Sequence, residues 1–206
     1  IKLKLWGDFN LANAAAAVKT AEIYGIKPEL AVKILENIES LPGRMELIEE
    51  GNKFKVIVDY AHTPDSMEAV YESLKPKLAV GAKLICVFGA TGGGRDKWKR
   101  PEYGKIAERY CDEIILTNED PYDENPVSIL EQIEKGFSSS NLKSKILKIW
   151  KTIDRKEAIQ KGVSLAKEGD IVVITGKGSE STMIIANGQK IPFDDRAAAR
   201  EILKNS

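Results

Sequence analysis

Four cationic side chains in the stretch Gly92-Gly-Gly-Arg-Asp-Lys-Trp-Lys-Arg100, namely Arg95, Lys97, Lys99 and Arg100, make it a receiver for anions or else a flexible surface turn with a solvated basic cluster. Asp96 is an internal partner. Three successive glycines remove the Cβ atoms that would hold the backbone off a ligand. A second set, Asp59-Tyr-Ala-His-Thr-Pro-Asp65, carries a carboxylate suited to a ribose diol. It also holds the single histidine, His62, just before a helix start, where anions are favoured. His62 reads equally as a structural hydrogen-bonder. The third set, Asn118-Glu-Asp-Pro-Tyr-Asp-Glu124, offers acids to an ammonium group or is a solvated turn with a cap. The fourth, Gly176-Lys-Gly-Ser-Glu180, lets Glu180 and bare backbone approach a ligand. Neither G-x-x-x-x-G-K-[ST] nor G-x-G-x-x-G occurs, so no nucleotide phosphate cradle is written here.

The elements that must carry these sets alternate strand and helix. Near-continuous apolar runs predict strands at 45–49, 53–59, 83–88, 113–117, 145–150 and 170–175, buried on both faces of a mostly parallel sheet. Helices are expected at 64–78, 101–110, 126–136, 155–167 and 196–203. Thr63-Pro64 and Asn125-Pro126 pair a cap with an N1 proline, and Asp154 with Glu157 forms an aspartate capping box. Asn187-Gly188 predicts a small hairpin at the sheet edge, Met183–Ala186 against Gln189–Ile191. Ser138-Ser-Ser140 is read as a loop. The fold class is α/β, Rossmann-like, and each of the four polar sets falls at a strand's C-terminal end.

Ahead of this lies a helical segment. Residues 2–6 alternate like a strand, Asp8 is placed to cap a helix over 9–24, and Pro28 opens another with Leu30, Ile34, Leu35 and Ile38 as its stripe. The break at Leu41-Pro-Gly-Arg44 sets a boundary, giving 1–41 as the end of a preceding domain and 42–206 as a second. The chain begins at Ile1 in mid-pattern, as a piece of something longer would.

Charged residues are 30% of the 206 and balance to formal net zero, so no global field draws the chain to nucleic acid or membrane. No run is apolar enough to span a bilayer. Cys86 and Cys111 are expected to be reduced core thiols, which suits a cytoplasmic protein. Trp6, Trp98 and Trp150 default to core, and a monomer is the default association state.

Taken together, the motifs resemble the Mur ligase family. The likeness is to the MurE-type branch that adds the third amino acid to UDP-N-acetylmuramoyl-dipeptide. Leu41-Pro-Gly-Arg-Met-Glu46, the 59–65 motif, Phe88 through Gly93-Gly-Arg-Asp-Lys97 to Lys99-Arg-Pro101, Gly176-Lys-Gly-x-Glu180 and Asp194-Asp-Arg196 recur there in order. Gly7-Asp-Phe-Asn-Leu-Ala-Asn13 resembles the end of that family's central domain.

The resemblance implies an ATP- and Mg²⁺-dependent amide ligase of peptidoglycan synthesis, acting through an acyl phosphate. Its P-loop, metal ligands and carbamylated lysine would lie upstream, leaving this fragment inactive alone. It implies adenine contacts from Asn10 and Asn13, ribose and phosphate contacts from Arg44 and Asp59, and His62 near the phosphates. Arg95, Glu119, Asp120, Pro121, Tyr122, Gly176 and Glu180 would hold the incoming amino acid. Lys97 and Arg100 would support domain closure, with His62 and Lys97 assisting catalysis. The partners would be UDP-N-acetylmuramoyl-dipeptide, an amino acid and the upstream ATP-binding domain.

Two positions depart from the pattern. Diaminopimelate-adding members carry Asp-Asn-Pro-Arg where this chain has Glu119-Asp-Pro-Tyr122, and tyrosine cannot grip a distal carboxylate bidentately. The expectation is therefore L-lysine, or another amino acid without a distal carboxylate. Ser179 stands where histidine is common. The rival readings are a folylpolyglutamate- or cyanophycin-type ligase and a non-catalytic amino-acid- or nucleotide-binding domain.

Overall fold

The computed structural model describes residues 1–138 and 147–205. After an irregular start come helices α1 (Phe9–Ile23) and α2 (Pro28–Leu35). The remaining elements are β1 (Glu46–Ile48), β2 (Lys55–Asp59), α3 (Pro64–Leu74), β3 (Leu84–Phe88), α4 (Lys99–Tyr110), β4 (Glu113–Leu116) and α5 (Pro126–Glu134). They continue with β5 (Lys148–Lys151), α6 (Arg155–Leu165), β6 (Ile171–Thr175), β7 (Thr182–Ile184), β8 (Lys190–Pro192) and α7 (Asp195–Lys204).

The main sheet has the order β1-β2-β6-β3-β4-β5, with every pair parallel except β1 against β2. Because side chains alternate across a strand, each face of the sheet gathers its own core. Ile57, Cys86, Phe88, Ile114, Leu116 and Val173 pack with α3, α4 and α5. Val56, Val58, Ile85, Val87, Ile115 and Ile174 pack with α6 and α7. Helices on opposite faces mean the connections diverge between β6 and β3, and an open α/β sheet holds ligands at such a crevice.

The caps are where composition placed them. Thr63 Oγ1 accepts from the Ser66 amide while the Ser66 hydroxyl accepts from the Thr63 amide, a capping box with serine in the third position. Asn125 and Asp154 accept amide hydrogens at the starts of α5 and α6. The expected capping box at Asp154 is only half formed: the Glu157 amide donates to Asp154, and the Glu157 side chain returns no bond among the described residues. Asp194 caps α7, which therefore begins at Asp195.

Several expectations are corrected. Residues 2–6 form no strand; the Lys2 amide instead donates to Glu36 Oε1 at 2.8 Å. Asp8 stands before α1 but makes no side-chain cap bond. Leu30 and Ile34 of the α2 stripe are about half exposed, as is Leu11 of α1. The hairpin forms one residue out of the expected register, as a separate two-stranded ladder outside the main sheet. Asn187 (φ 58°) and Gly188 (φ 68°) supply its left-handed turn. Residues 145–146 of the fifth expected strand and 139–140 of the serine loop lie outside the described residues.

Trp98 is 63% exposed, while Trp6 and Trp150 pack partly buried on the two cores. Cys86 and Cys111 are joined in a disulfide and not reduced. Cys111 caps the C-terminus of α4, which packs on β3, and that brings its Cα to 6.1 Å from that of Cys86, within bonding reach. The expectation of a cytoplasmic setting loses the support it drew from free thiols. No helix among the described residues is long and apolar enough to cross a membrane.

Candidate functional site

Two neighbouring cavities open at the C-terminal ends of β2, β3, β4 and β6. The first, about 430 Å³, is lined by Phe9, Asn10, Asn13, Leu41, Arg44 and the 59–63 segment, with Val70 behind. It brings together Asn10, Asn13, Arg44, Asp59 and His62, the five residues the resemblance assigned to a nucleotide. Most of their polar atoms already have partners. Asn10 Nδ2 donates to the Trp6 carbonyl at 2.6 Å, and Asn13 Nδ2 donates to Asn10 Oδ1 at 3.0 Å.

Asp59 is buried and its two oxygens accept the amides of Met45 and Ala61, each at 2.7 Å. Burial raises its carboxyl above the ordinary range, against the opposing pull of those two amides and Arg44. In this structure Asp59 pins the 41–45 turn, where Gly43 (φ 62°) and Met45 (φ 48°) are left-handed. Gly43 has no room for a side chain, since Gly178 and Ser179 lie directly against it. His62 is exposed; its Nδ1 lies 2.8 Å from the Tyr60 carbonyl, an acceptor only, so Nδ1 carries a hydrogen.

The second cavity, about 420 Å³, is lined by Arg95, Glu119, Asp120, Tyr122, Gly176 and Glu180, together with Tyr60, His62, Thr91 and Lys190. Of the residues expected to hold an amino acid only Pro121 does not line it. The expected acid cluster is largely spoken for. Asp120 Oδ1 accepts from Lys177 Nζ at 2.9 Å and from the Ile184 amide at 2.8 Å. Asp123 accepts the Asn187 amide at 2.7 Å. Glu124 accepts from Arg100 (2.9 Å) and from the Gly94 amide (2.9 Å), with Lys97 at 3.2 Å. Arg100 foremost holds the Glu124 carboxyl down at about 2.

Glu119 and Glu180 are held as well, by neighbours within the cavity. Glu119 is buried, accepts from Thr91 Oγ1 at 2.8 Å, and lies against Gly176, which has no space for a Cβ. Burial pushes its carboxyl up, opposed by Arg155, Thr91 and Lys177. Glu180 accepts from Lys177 Nζ at 2.8 Å and from the Tyr60 hydroxyl at 3.1 Å. Lys177 is fully buried; burial alone would lower its ammonium, but its bonds to Glu180 and Asp120 outweigh this and raise it.

Cations face these acids. The guanidinium of Arg95 and the ammonium of Lys190 have no hydrogen-bond or ion-pair partner among the described residues, and both are exposed at the cavity wall. Lys97 and Arg100 do not line this cavity: they clamp Glu124, and Arg100 also donates to the Thr91 carbonyl at 3.0 Å. The glycines at 92–93 make room for protein and not for ligand. Gly92 lies against the Pro121 carbonyl, and Gly93 (φ 70°) lies under the Tyr122 ring.

Sequence reasoning missed three residues that organise this site. Lys177 sat within a quoted motif without a role. Tyr60 is the wall between the cavities. Arg155, fully buried, pairs with Asp195 at 2.7 and 2.8 Å and donates to the carbonyls of Asn118 (3.0 Å) and Thr175 (2.9 Å). It thus ties two site loops to α7. The Asp194-Asp195 doublet was its one sequence signal. Among the described residues no group of three His, Cys, Asp or Glu side chains is placed to hold a metal ion.

Fold and site together define an α/β domain with paired cavities at one sheet edge. Residues 43–178 match the family model described as Mur ligase, glutamate ligase domain, and the chain belongs to that family of ATP-dependent ligases. It is 46% identical over 199 residues to the UDP-N-acetylmuramoyl-L-alanyl-D-glutamate–2,6-diaminopimelate ligase of Aquifex aeolicus, covering 97% of this chain and 39% of the relative. The ligase of the same name from Syntrophomonas wolfei is 42% identical over 205 residues, covering 99% and 40%. A solved structure of such a ligase superposes with a TM-score of 0.74 at 34% identity, covering all of this chain and 40% of that one. The chain thus spans about two fifths of the length of the relatives it matches.

Proposed function

We propose that this chain is the C-terminal part of an ATP-dependent amide ligase that joins an amino acid to the D-glutamyl carboxylate of UDP-N-acetylmuramoyl-L-alanyl-D-glutamate. The observation that carries the proposal is the pairing of cavities. One is lined by the nucleotide candidates and the other by the amino-acid candidates, with Tyr60 and His62 common to both. An acyl phosphate forms where ATP meets the carboxylate, and an amine held beside it attacks and expels phosphate. Such chemistry depends on juxtaposition more than on a protein nucleophile.

On this reading Arg95 takes the α-carboxylate of the incoming amino acid, while Glu119 and Glu180 accept hydrogens from its ammonium groups. The first cavity takes the nucleoside against Phe9, Leu41 and Val70. Residues 1–41 belong to the domain before the break, a reading supported by the family match beginning at 43. Mg²⁺ and the triphosphate would be held mainly by the upstream part of the longer protein, so this fragment alone should not hydrolyse ATP.

For the amino acid, Tyr122 supports L-lysine or another substrate without a distal carboxylate: its ring lies on Gly93 and offers no fork. A second reading, diaminopimelate, is favoured by the names of the relatives and by Lys190, a cation free to meet a distal carboxylate in the same cavity. An amino-acid panel on the intact ligase with the dipeptide substrate decides. Faster turnover of L-lysine supports the first reading, and clear preference for meso-diaminopimelate overturns it in favour of the second. Failure to ligate any amino acid would end both.

A further inference from the structure

Tyr60 is placed unlike the other tyrosines. It follows β2 and lines both cavities. Its hydroxyl donates to Glu180 Oε1 at 3.1 Å, and the other Glu180 oxygen is held by buried Lys177. On the opposite side, the Arg44 guanidinium lies 4.4 Å from the centre of its ring. The His62 ring meets it edge-on, with centroids 4.5 Å apart, and His62 is bonded back to the Tyr60 carbonyl.

The contact with the Glu180 loop is close on the main chain as well. A Cβ at Gly178 would come within 2.6 Å of Tyr60 Cβ, so the loop can approach only as glycine. Burial first, and then the Glu180 carboxylate, raise the phenol above its ordinary range, with Arg44 pulling the other way and Glu119 adding to the rise. The group therefore remains a donor through neutral pH.

We propose that Tyr60 is a positioning residue that couples the two ligand sites. Its hydroxyl fixes Glu180 for the substrate amine, and its ring seats Arg44 on the nucleotide side. The proposal rests on the ligase reading above. Hydroxyl and ring act on different ligands, so they separate by substitution. Tyr60→Phe keeps the ring, the cation–π contact and the packing against Gly178, and loses only the hold on Glu180. Tyr60→Leu loses both.

The test uses the intact ligase, with KM for the amino acid, KM for ATP and kcat measured for both variants. Tyr60→Phe should raise the amino-acid KM roughly five- to tenfold while the ATP KM stays within about twofold, the upper range for one ordinary hydrogen bond that acts on the ligand through Glu180. Tyr60→Leu should raise the ATP KM as well, by about threefold, the scale of one cation–π contact. A merely structural tyrosine would move both constants together. The proposal is overturned if Tyr60→Phe leaves the amino-acid KM within about twofold, or raises both constants equally. Should the leucine variant not fold, the phenylalanine variant still decides. If the wild-type ligase turns over and Tyr60→Phe is neutral, this inference alone fails; a wild-type protein that ligates nothing removes the functional reading and the inference with it.

Discussion

The two cavities share a wall and are nearly equal in volume, yet they are built on different principles. In the first cavity, the proposed nucleotide site, the polar groups are turned inward to the protein: Asp59 to two main-chain amides, Asn10 to the Trp6 carbonyl and Asn13 to Asn10. What remains for a ligand is shape, apolar surface and the exposed Arg44 and His62. The second cavity, the proposed amino-acid site, instead presents charges of both signs, with Glu119, Glu180, Arg95 and Lys190 all in its lining. The first suits a ligand whose identity is already fixed; the second suits discrimination among small zwitterions by charge.

The difference can be broken at its foundations. Arg155 holds the Asn118 and Thr175 carbonyls, and so anchors the two loops that carry Glu119 and Glu180. Arg155→Met leaves Asp195 buried without its partner, which costs about 3–5 kcal/mol. Urea unfolding of the 206-residue chain should show that loss. An unchanged midpoint would mean that the two cavities do not depend on this ion pair.

A smaller change sharpens the contrast. Glu119 has its folded carboxyl raised by burial. The native state therefore holds its proton more tightly than the unfolded chain, and stability falls as pH rises from the unfolded pKa through the folded one. Glu119→Gln removes this penalty and keeps an acceptor for Thr91. The variant should match wild type in acid, where both states are protonated, and exceed it in stability at pH 7. It should also lose amino-acid affinity by roughly 10–100-fold, the scale of one charged hydrogen bond. Urea midpoints at pH 4 and 7, with KM in the intact ligase, check both halves. A variant no more stable at pH 7 would place the carboxyl's cost elsewhere.

Much of this was legible in the chain. Apolar runs such as Val56-Ile-Val58 and Ile171-Val-Val-Ile174 gave the parallel sheet, and cap-proline pairs gave the helix starts. Strand C-termini gave the location of the four polar site loops, though not of the 41–44 turn, which lines the first cavity from ahead of β1. What failed has one cause. A sequence shows which groups are charged but not which are already paired: Asp120, Asp123 and Glu124 looked like a receptor for ammonium and are tied to Lys177, Asn187 and Arg100. For the same reason the triple glycine looked like a ligand cradle, whereas Gly92 and Gly93 accommodate Pro121 and Tyr122. The thiols were misread because Cys86 and Cys111 are 25 residues apart and become neighbours only when α4 packs on β3.

On the proposed reading this domain binds the amino acid through charges the nucleotide does not use, with Arg95 as one of two free cations among the described residues of the wall. Arg95→Ala in the intact ligase should raise the amino-acid KM by about tenfold, the lower end expected for an exposed charge-assisted bond, with the ATP KM within about twofold. Equal increases in both constants, or no change in the first, would contradict it.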